Sequence, residues 1–284
     1  MNGLSSFFLV LAFSLVADSK KLIYYTTDDG TNEGTPRVLD ACKNAGVSIT
    51  FFVNGNTVDT GIWGPGNSGK NRGYMQRIVK EGHTIADHSF DHMRHNSAES
   101  YATPHNAYQS ESDVEWFGYK NAFSTVDALV SQSISHVAIT RASRTMMSLI
   151  RMPFTNNWRV KMTNGHGDIH FDCVFCTTPI TSGQMGVKIA DRLFANGAQV
   201  YGWDTEWHSG WGTGLSESPE TMMATVRALV NNSDKVGESG KVVILNHDHG
   251  FIGNTEAQRS LEKFFFMAMA EGFEFRTLDT YHED

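Results

Sequence analysis

Apolar positions come in short blocks whose spacing changes along the chain. Leu22 to Thr26, Ser48 to Val53, Thr84 to Asp87, Leu149 to Met152, Gln199 to Trp203, Lys241 to Leu245 and Phe273 to Thr277 are short, β-rich runs. They have the length of strands and end at turn residues such as Gly30, Gly202 and Pro153. Helical patterns lie between them. Thr35 is placed to N-cap a helix with Pro36 at its first position, running to about Ala45 and closed by Gly46. Met75 to Glu81, Val187 to Ala195, Pro219 to Val230 and Glu256 to Glu271 are further helices, each followed by a glycine or a change of pattern. Repeated strand–helix units predict an α/β fold, with a parallel sheet or barrel covered by helices. Asp28-Asp29, His88, Arg151, Asp204 and His247 fall just past the strands. In a closed or nearly closed sheet these ends share one rim, where α/β barrels carry their chemistry.

Composition narrows the class. With 284 residues, 40% hydrophobic and 19% charged, the chain has ample material for one core. A formal charge of -8 speaks against nucleic acid or an anionic membrane as partner, and is compatible with a neutral sugar. Leu4 to Ala17 is mostly apolar and too short to span a bilayer. With small residues at Ala17 and Ser19 it fits a secretory leader of residues 1–19, leaving 20–284 as one secreted domain. A buried N-terminal element is the other reading of the same run. No later run is long enough to anchor the processed chain. Cys173 and Cys176 could form a local disulfide in a secreted protein, and Cys42 sits among apolar helix positions as a buried thiol.

The polar clusters carry candidate chemistry. Asp28 and Asp29 are adjacent carboxylates that point in different directions from a strand end, so one can bind a metal while the other acts as a base; Asp-Asp-Gly is equally good turn chemistry. His88 and His92 are four apart, as on one side of a helical turn, and with Asp29 they make a two-histidine, one-carboxylate face for zinc or another divalent first-row metal. Arg151 can hold a carboxylate ionised and oriented, and Pro153 stiffens a turn that could aim the Phe154 N–H at a substrate oxygen. In Trp203-Asp204-Thr205-Glu206-Trp207, rings suit pyranose faces and the acids suit polar groups; core tryptophan in a strand is the other reading. His247, after a buried strand and beside Asp248, can be a general acid. His83, His95, His208 and His249 are assigned to the surface or to supporting positions.

Taken in order, these five clusters resemble the polysaccharide deacetylases of the NodB-homology type, carbohydrate esterase family 4. The segments 82–96, Arg151 to Val160 (RMPFTNNWRV), Gly202 to Trp207 and Leu278 to Tyr281 are most similar to the chitin oligosaccharide deacetylases of marine bacteria. The resemblance implies a distorted (β/α) barrel that hydrolyses N-acetyl groups on chitin oligosaccharides. It assigns Asp28 as base, Asp29, His88 and His92 as ligands of a metal that is usually zinc, Arg151 as the residue steering Asp28, and His247 as acid. Phe154 holds the oxyanion through its N–H, Trp207 walls the sugar site with Asp204 nearby, and Leu245 shapes the acetyl pocket. Thr27 stands where the family usually has Phe, and Phe154 where it usually has Tyr. The spacing of Asp204 and Glu206 departs from the usual pattern, which leaves open which acid supports Arg151. Acetylxylan and peptidoglycan are the alternative substrates within the family; a non-catalytic sugar-binding protein is the alternative outside it. The segments 62–72 and 93–112, rich in Gly, Asn, Ser and His, are expected to border the cleft as loops.

Overall fold

The strand runs pair side by side in a computed structural model that describes residues 21–55, 57, 68–89, 92, 136–154, 156–161, 190–191, 193–195, 197–232, 235 and 237–283. The elements are β1 (Lys21–Gly30), α1 (Thr35–Ala45), β2 (Thr50–Val53), α2 (Ser68–Lys80), β3 (Thr84–Asp87), α3 (His136–Ser148), β4 (Leu149–Ile150), β5 (Gln199–Val200), β6 (Thr205–Glu206), β7 (Ser209–Gly210), β8 (Gly214–Leu215), α4 (Pro219–Leu229), β9 (Lys241–His247), α5 (Thr255–Ala270) and β10 (Phe273–Phe275). The main sheet runs β5-β4-β3-β2-β1-β9-β6, with β10 paired to the first residues of β1. Every pairing in it is parallel. The result is the curled parallel sheet with helices of a distorted (β/α) barrel. A small antiparallel hairpin, β7–β8, stands apart from it.

Side-chain alternation divides the core in two. Ile23 and Tyr25 of β1 join the helix-facing layer with Val38, Met223, Phe264 and Phe265. Leu22 and Tyr24 join the other layer, with Phe52, Trp158, Tyr201, Val243 and Tyr281. That second layer plugs the inside of the curl. Continuing the same face of β1 by steps of two leads from Leu22 and Tyr24 to Thr26 and Asp28. On β9 the equivalent series is Val243, Leu245, His247. The plug therefore ends where the polar residues begin.

Three expectations are corrected here. β1 runs on to Gly30, so the Asp28-Asp29 pair lies within the strand; pairing of Asp28 with His247 and of Gly30 with Val53 extends it. Thr35 is the first helical residue and not the cap. Gly34 is the cap, and the Thr35 hydroxyl donates to the buried Asp248 carboxylate instead. A Cβ at Gly34 would come within 1.8 Å of the Asp248 carbonyl oxygen, which explains the glycine. Residues 68–72 are the first turn of α2 and not loop. The helix α3 had no counterpart in the sequence reading. Leu4 to Ala17, the rest of the proposed cleft loops, Cys173, Cys176 and residues 187–189 lie outside the described residues. Cys42 is a buried free thiol, as expected. Among the described residues no helix is long and apolar enough to cross a membrane.

Candidate active site

Strand register assembles the site. Asp28 pairs with His247 and Thr26 with Leu245 across β1 and β9, so Asp28, Leu245 and His247 share one face. On the far side of β9, Glu206 of β6 pairs with Leu245. His88 follows β3 and Arg151 follows β4, at the same ends of their strands. These ends surround a cleft of about 340 Å³, the size of a small-molecule site, whose floor includes Asp28, Asp29, His88, His92 and His247.

Asp29, His88 and His92 form a compact donor set. Their ligating atoms lie within 4.8 Å of one another. Asp29 Oδ1 is 3.3 Å from His88 Nε2 and 3.0 Å from His92 Nε2. That oxygen is buried and accepts no hydrogen bond of good geometry. His88 Nδ1 is 2.8 Å from the Arg151 carbonyl oxygen, to which it can only donate, so in the neutral ring Nε2 is the nitrogen left to bind a cation. An orphaned carboxylate oxygen facing two imidazole nitrogens fits a divalent first-row cation. Burial pushes the Asp29 carboxyl up, but the facing rings of His92, His88 and His247 outweigh it and hold it well below the usual carboxylate range. Burial works against charge on His88, while Asp28 and Asp29 raise it above the ordinary histidine value.

The histidine pair is not on a helical turn. Ser89 and His92 both have left-handed backbone, with φ of 66° and 54°, so the two rings converge through a bent loop end. Asp29 (φ 66°) and Phe154 (φ 61°) share that conformation. Four non-glycine residues in this sparsely populated region at one site are held there by their surroundings. Ser89 N donates to Asp87 Oδ1 at 2.7 Å, and Asn54 Nδ2 donates to the carbonyls of His88 and Ser89 at 2.7 and 3.2 Å.

Arg151 is fully buried and every side of its guanidinium is occupied. It donates to Asp28 Oδ1 at 2.9 Å, Thr26 Oγ1 at 2.6 Å, and the carbonyls of Tyr201 and Gly202 at 3.1 and 2.7 Å. Burial works against its charge and Asp28 works for it; Glu206 adds a longer-range attraction. Glu206 lines the cleft with an oxygen 3.7 Å from His247 Nδ1. His247 Nε2 lies 3.9 Å from Asp29 Oδ2. His249 stacks on His247 on one side and on Trp211 on the other, making a row of rings from the cleft toward the hairpin.

Two assigned residues are not at the cleft. Asp204 is a structural anchor whose side chain is fully buried. It accepts from Val243 N at 2.8 Å and Gly237 N at 3.2 Å, and pairs with Lys235 at 3.5 Å. Trp207 is in the helix-facing core against Phe264, and its Nε1 donates to the Glu217 carbonyl at 3.0 Å. The reason is strand alternation: Glu206 faces the cleft, so its neighbour must face away. Trp203 lines the cleft where Trp207 was expected, together with Phe154 and Leu245. Glu206, Trp203 and His249 thus line the cleft; the sequence leaves Glu206 and Asp204 open as the acid near Arg151, leaves Trp203 open between sugar site and core, and gives His249 only a surface or supporting place. We expect Trp207→Phe to lower unfolding free energy by about 1–2 kcal/mol while substrate KM stays nearly unchanged. Denaturant unfolding beside steady-state kinetics checks this; a large KM rise at unchanged stability would return Trp207 to the sugar site.

The fold is a curled parallel sheet whose rim carries an Asp-His-His donor set in a cleft. Residues 16–120 match the polysaccharide deacetylase family. The chitin disaccharide deacetylase of Vibrio alginolyticus is 24% identical over 93% of this chain and 72% of its own length. The catalytic domain of peptidoglycan N-acetylglucosamine deacetylase from Eubacterium rectale superposes with a TM-score of 0.55 at 20% identity, over 94% of this chain and 92% of that one. A family 4 carbohydrate esterase of Streptococcus mutans gives the same TM-score and identity over 91% of this chain and 86% of that one. Residues 16–120 thus carry a polysaccharide deacetylase domain match, and the chain has the fold of carbohydrate esterase family 4 structures.

Proposed function

We propose that this enzyme removes N-acetyl groups from chitin oligosaccharides, releasing acetate and a free amine, with zinc held by Asp29, His88 and His92. The observation that carries the reading is the single cleft where that donor set, Asp28 and His247 meet. A divalent ion there supplies Lewis acidity toward the acetamide carbonyl and makes water easier to deprotonate. Asp28 takes the proton of the attacking water. Its Oδ1 is committed to Arg151, and its Oδ2 is turned toward the donor set, 3.7 Å from His88 Nε2. Arg151 is itself held by two backbone carbonyls, so it keeps Asp28 in one orientation. The Phe154 N–H takes the developing oxyanion. His247 gives its proton to the departing nitrogen, with Glu206 orienting the ring from its other side. Water adds to the carbonyl carbon, the carbon–nitrogen bond breaks, and no covalent enzyme intermediate is needed.

The substrate class rests on the relative that spans most of this chain, a chitin disaccharide deacetylase. Leu245 and Trp203 give the cleft an apolar wall suited to an acetyl methyl and a sugar face. Acetate release from chitobiose and from acetylxylan, measured side by side on the zinc-loaded enzyme, tests it. Turnover of chitobiose is expected to be the faster. Faster release from the xylan ester overturns the substrate, and binding without any acetate release makes the chain a sugar-binding protein.

A further inference from the structure

We propose that Asn54 is a positioning residue for the metal site, its amide clamping the turn that carries His88 to the strand end that carries Asp29. The inference rests on the ligand set proposed above. Asn54 directly follows β2, the strand between the one bearing Asp29 and the one leading to His88. Its backbone faces one way: Asn54 N donates to the Gly30 carbonyl at 2.9 Å, one residue past Asp29. Its side chain faces the other: Nδ2 donates to the carbonyls of His88 at 2.7 Å and Ser89 at 3.2 Å. One fully buried residue therefore spans the two halves of the donor set.

The grip is reinforced on the β1 side. Thr57 Oγ1 donates to the Asn54 carbonyl at 2.7 Å and accepts from Thr31 N at 3.1 Å. Asn71 Nδ2 in turn donates to the Thr57 carbonyl at 2.7 Å. On the other side, Ser89 has left-handed backbone, which a serine does not adopt without support. The Asn54 amide and the Asp87 carboxylate supply that support, from the carbonyl and the N–H of Ser89 respectively. Because His88 must present Nε2 within about half an ångström of its productive place, a loosened turn weakens metal binding before it unfolds the domain.

The test is zinc affinity of the folded protein, measured by competition with a chromogenic chelator, alongside the melting temperature of the metal-free form. Asn54→Ala is expected to raise the zinc Kd about 10- to 100-fold, the range for loss of a group that orients ligands. Asn254→Ala, which removes the N-cap of α5 and a contact with the Gly212 carbonyl but no contact with Asp29, His88 or His92, serves as the matched destabilised control. It is expected to lower the melting temperature and leave zinc Kd unchanged. An Asn54→Ala protein that melts lower yet binds zinc like the parent overturns the proposal, since its amide would then serve stability alone. Should that variant not fold, Asn54→Gln keeps the amide donor but moves it by one methylene. A smaller rise in zinc Kd is expected there, and a parental value overturns the proposal. A parent protein without measurable zinc affinity overturns the ligand set itself, and is recognised by that result alone.

Discussion

Asp28→Asn is expected to keep its zinc and lose roughly 100- to 10,000-fold in kcat, the cost of removing a positioned base. The amide has the shape of the carboxylate and can still accept from Arg151, but it cannot take a proton from water. Asp29→Asn is expected to behave differently although it is the next residue. Asp29 Oδ1 is the atom that faces both His88 and His92, so weakening it weakens the metal site. Activity of the Asp29 variant should recover in part as zinc is added, and that of the Asp28 variant should not respond. Zinc titration of both variants, with acetate release as the readout, decides the matter. Rescue of the Asp28 variant alone would show that the two aspartates have the opposite jobs.

Arg151→Met should be the more damaging change for the fold. The guanidinium is fully buried, and its loss leaves the Asp28 carboxylate without its charged partner. Breaking a buried pair on one side costs about 3–5 kcal/mol, because the remaining charge is uncompensated. The double variant Arg151→Met with Asp28→Asn is therefore expected to be more stable than Arg151→Met alone, though equally inactive. Urea unfolding of the four proteins in the cycle measures this. Simple additivity of the two changes would mean that the carbonyls of Tyr201 and Gly202, and not the ion pair, hold Arg151 in place. It would also remove the argument that Arg151 keeps Asp28 in one orientation.

The sequence by itself determined most of the strands and helices, though not α3 or the short β6, β7 and β8, and the location of the polar clusters near strand ends, because both are local. The short β-branched run Lys241 to Leu245 reads as a buried strand from its length and composition, and the structure extends it to His247. The composition of the donor set was equally legible, since Asp29, His88 and His92 are of ligand types and sit at the ends of recognisable elements. Which face a residue takes was not legible, because that depends on register with a partner strand distant in sequence. Pairing of Glu206 with Leu245 turns the acid to the cleft and Trp207 to the core, and no pattern within the short Trp-Asp-Thr-Glu-Trp segment dictates it. Asp204 escaped for the same reason: its partners at Gly237, Lys235 and Val243 are more than thirty residues away in the chain. The left-handed turns at Ser89 and His92 were hidden too. Such a conformation is costly for a non-glycine residue on its own; at Ser89 the local bond from its N–H to Asp87 helps, and the Asn54 amide reaching over from the neighbouring strand end adds a support that only tertiary structure provides.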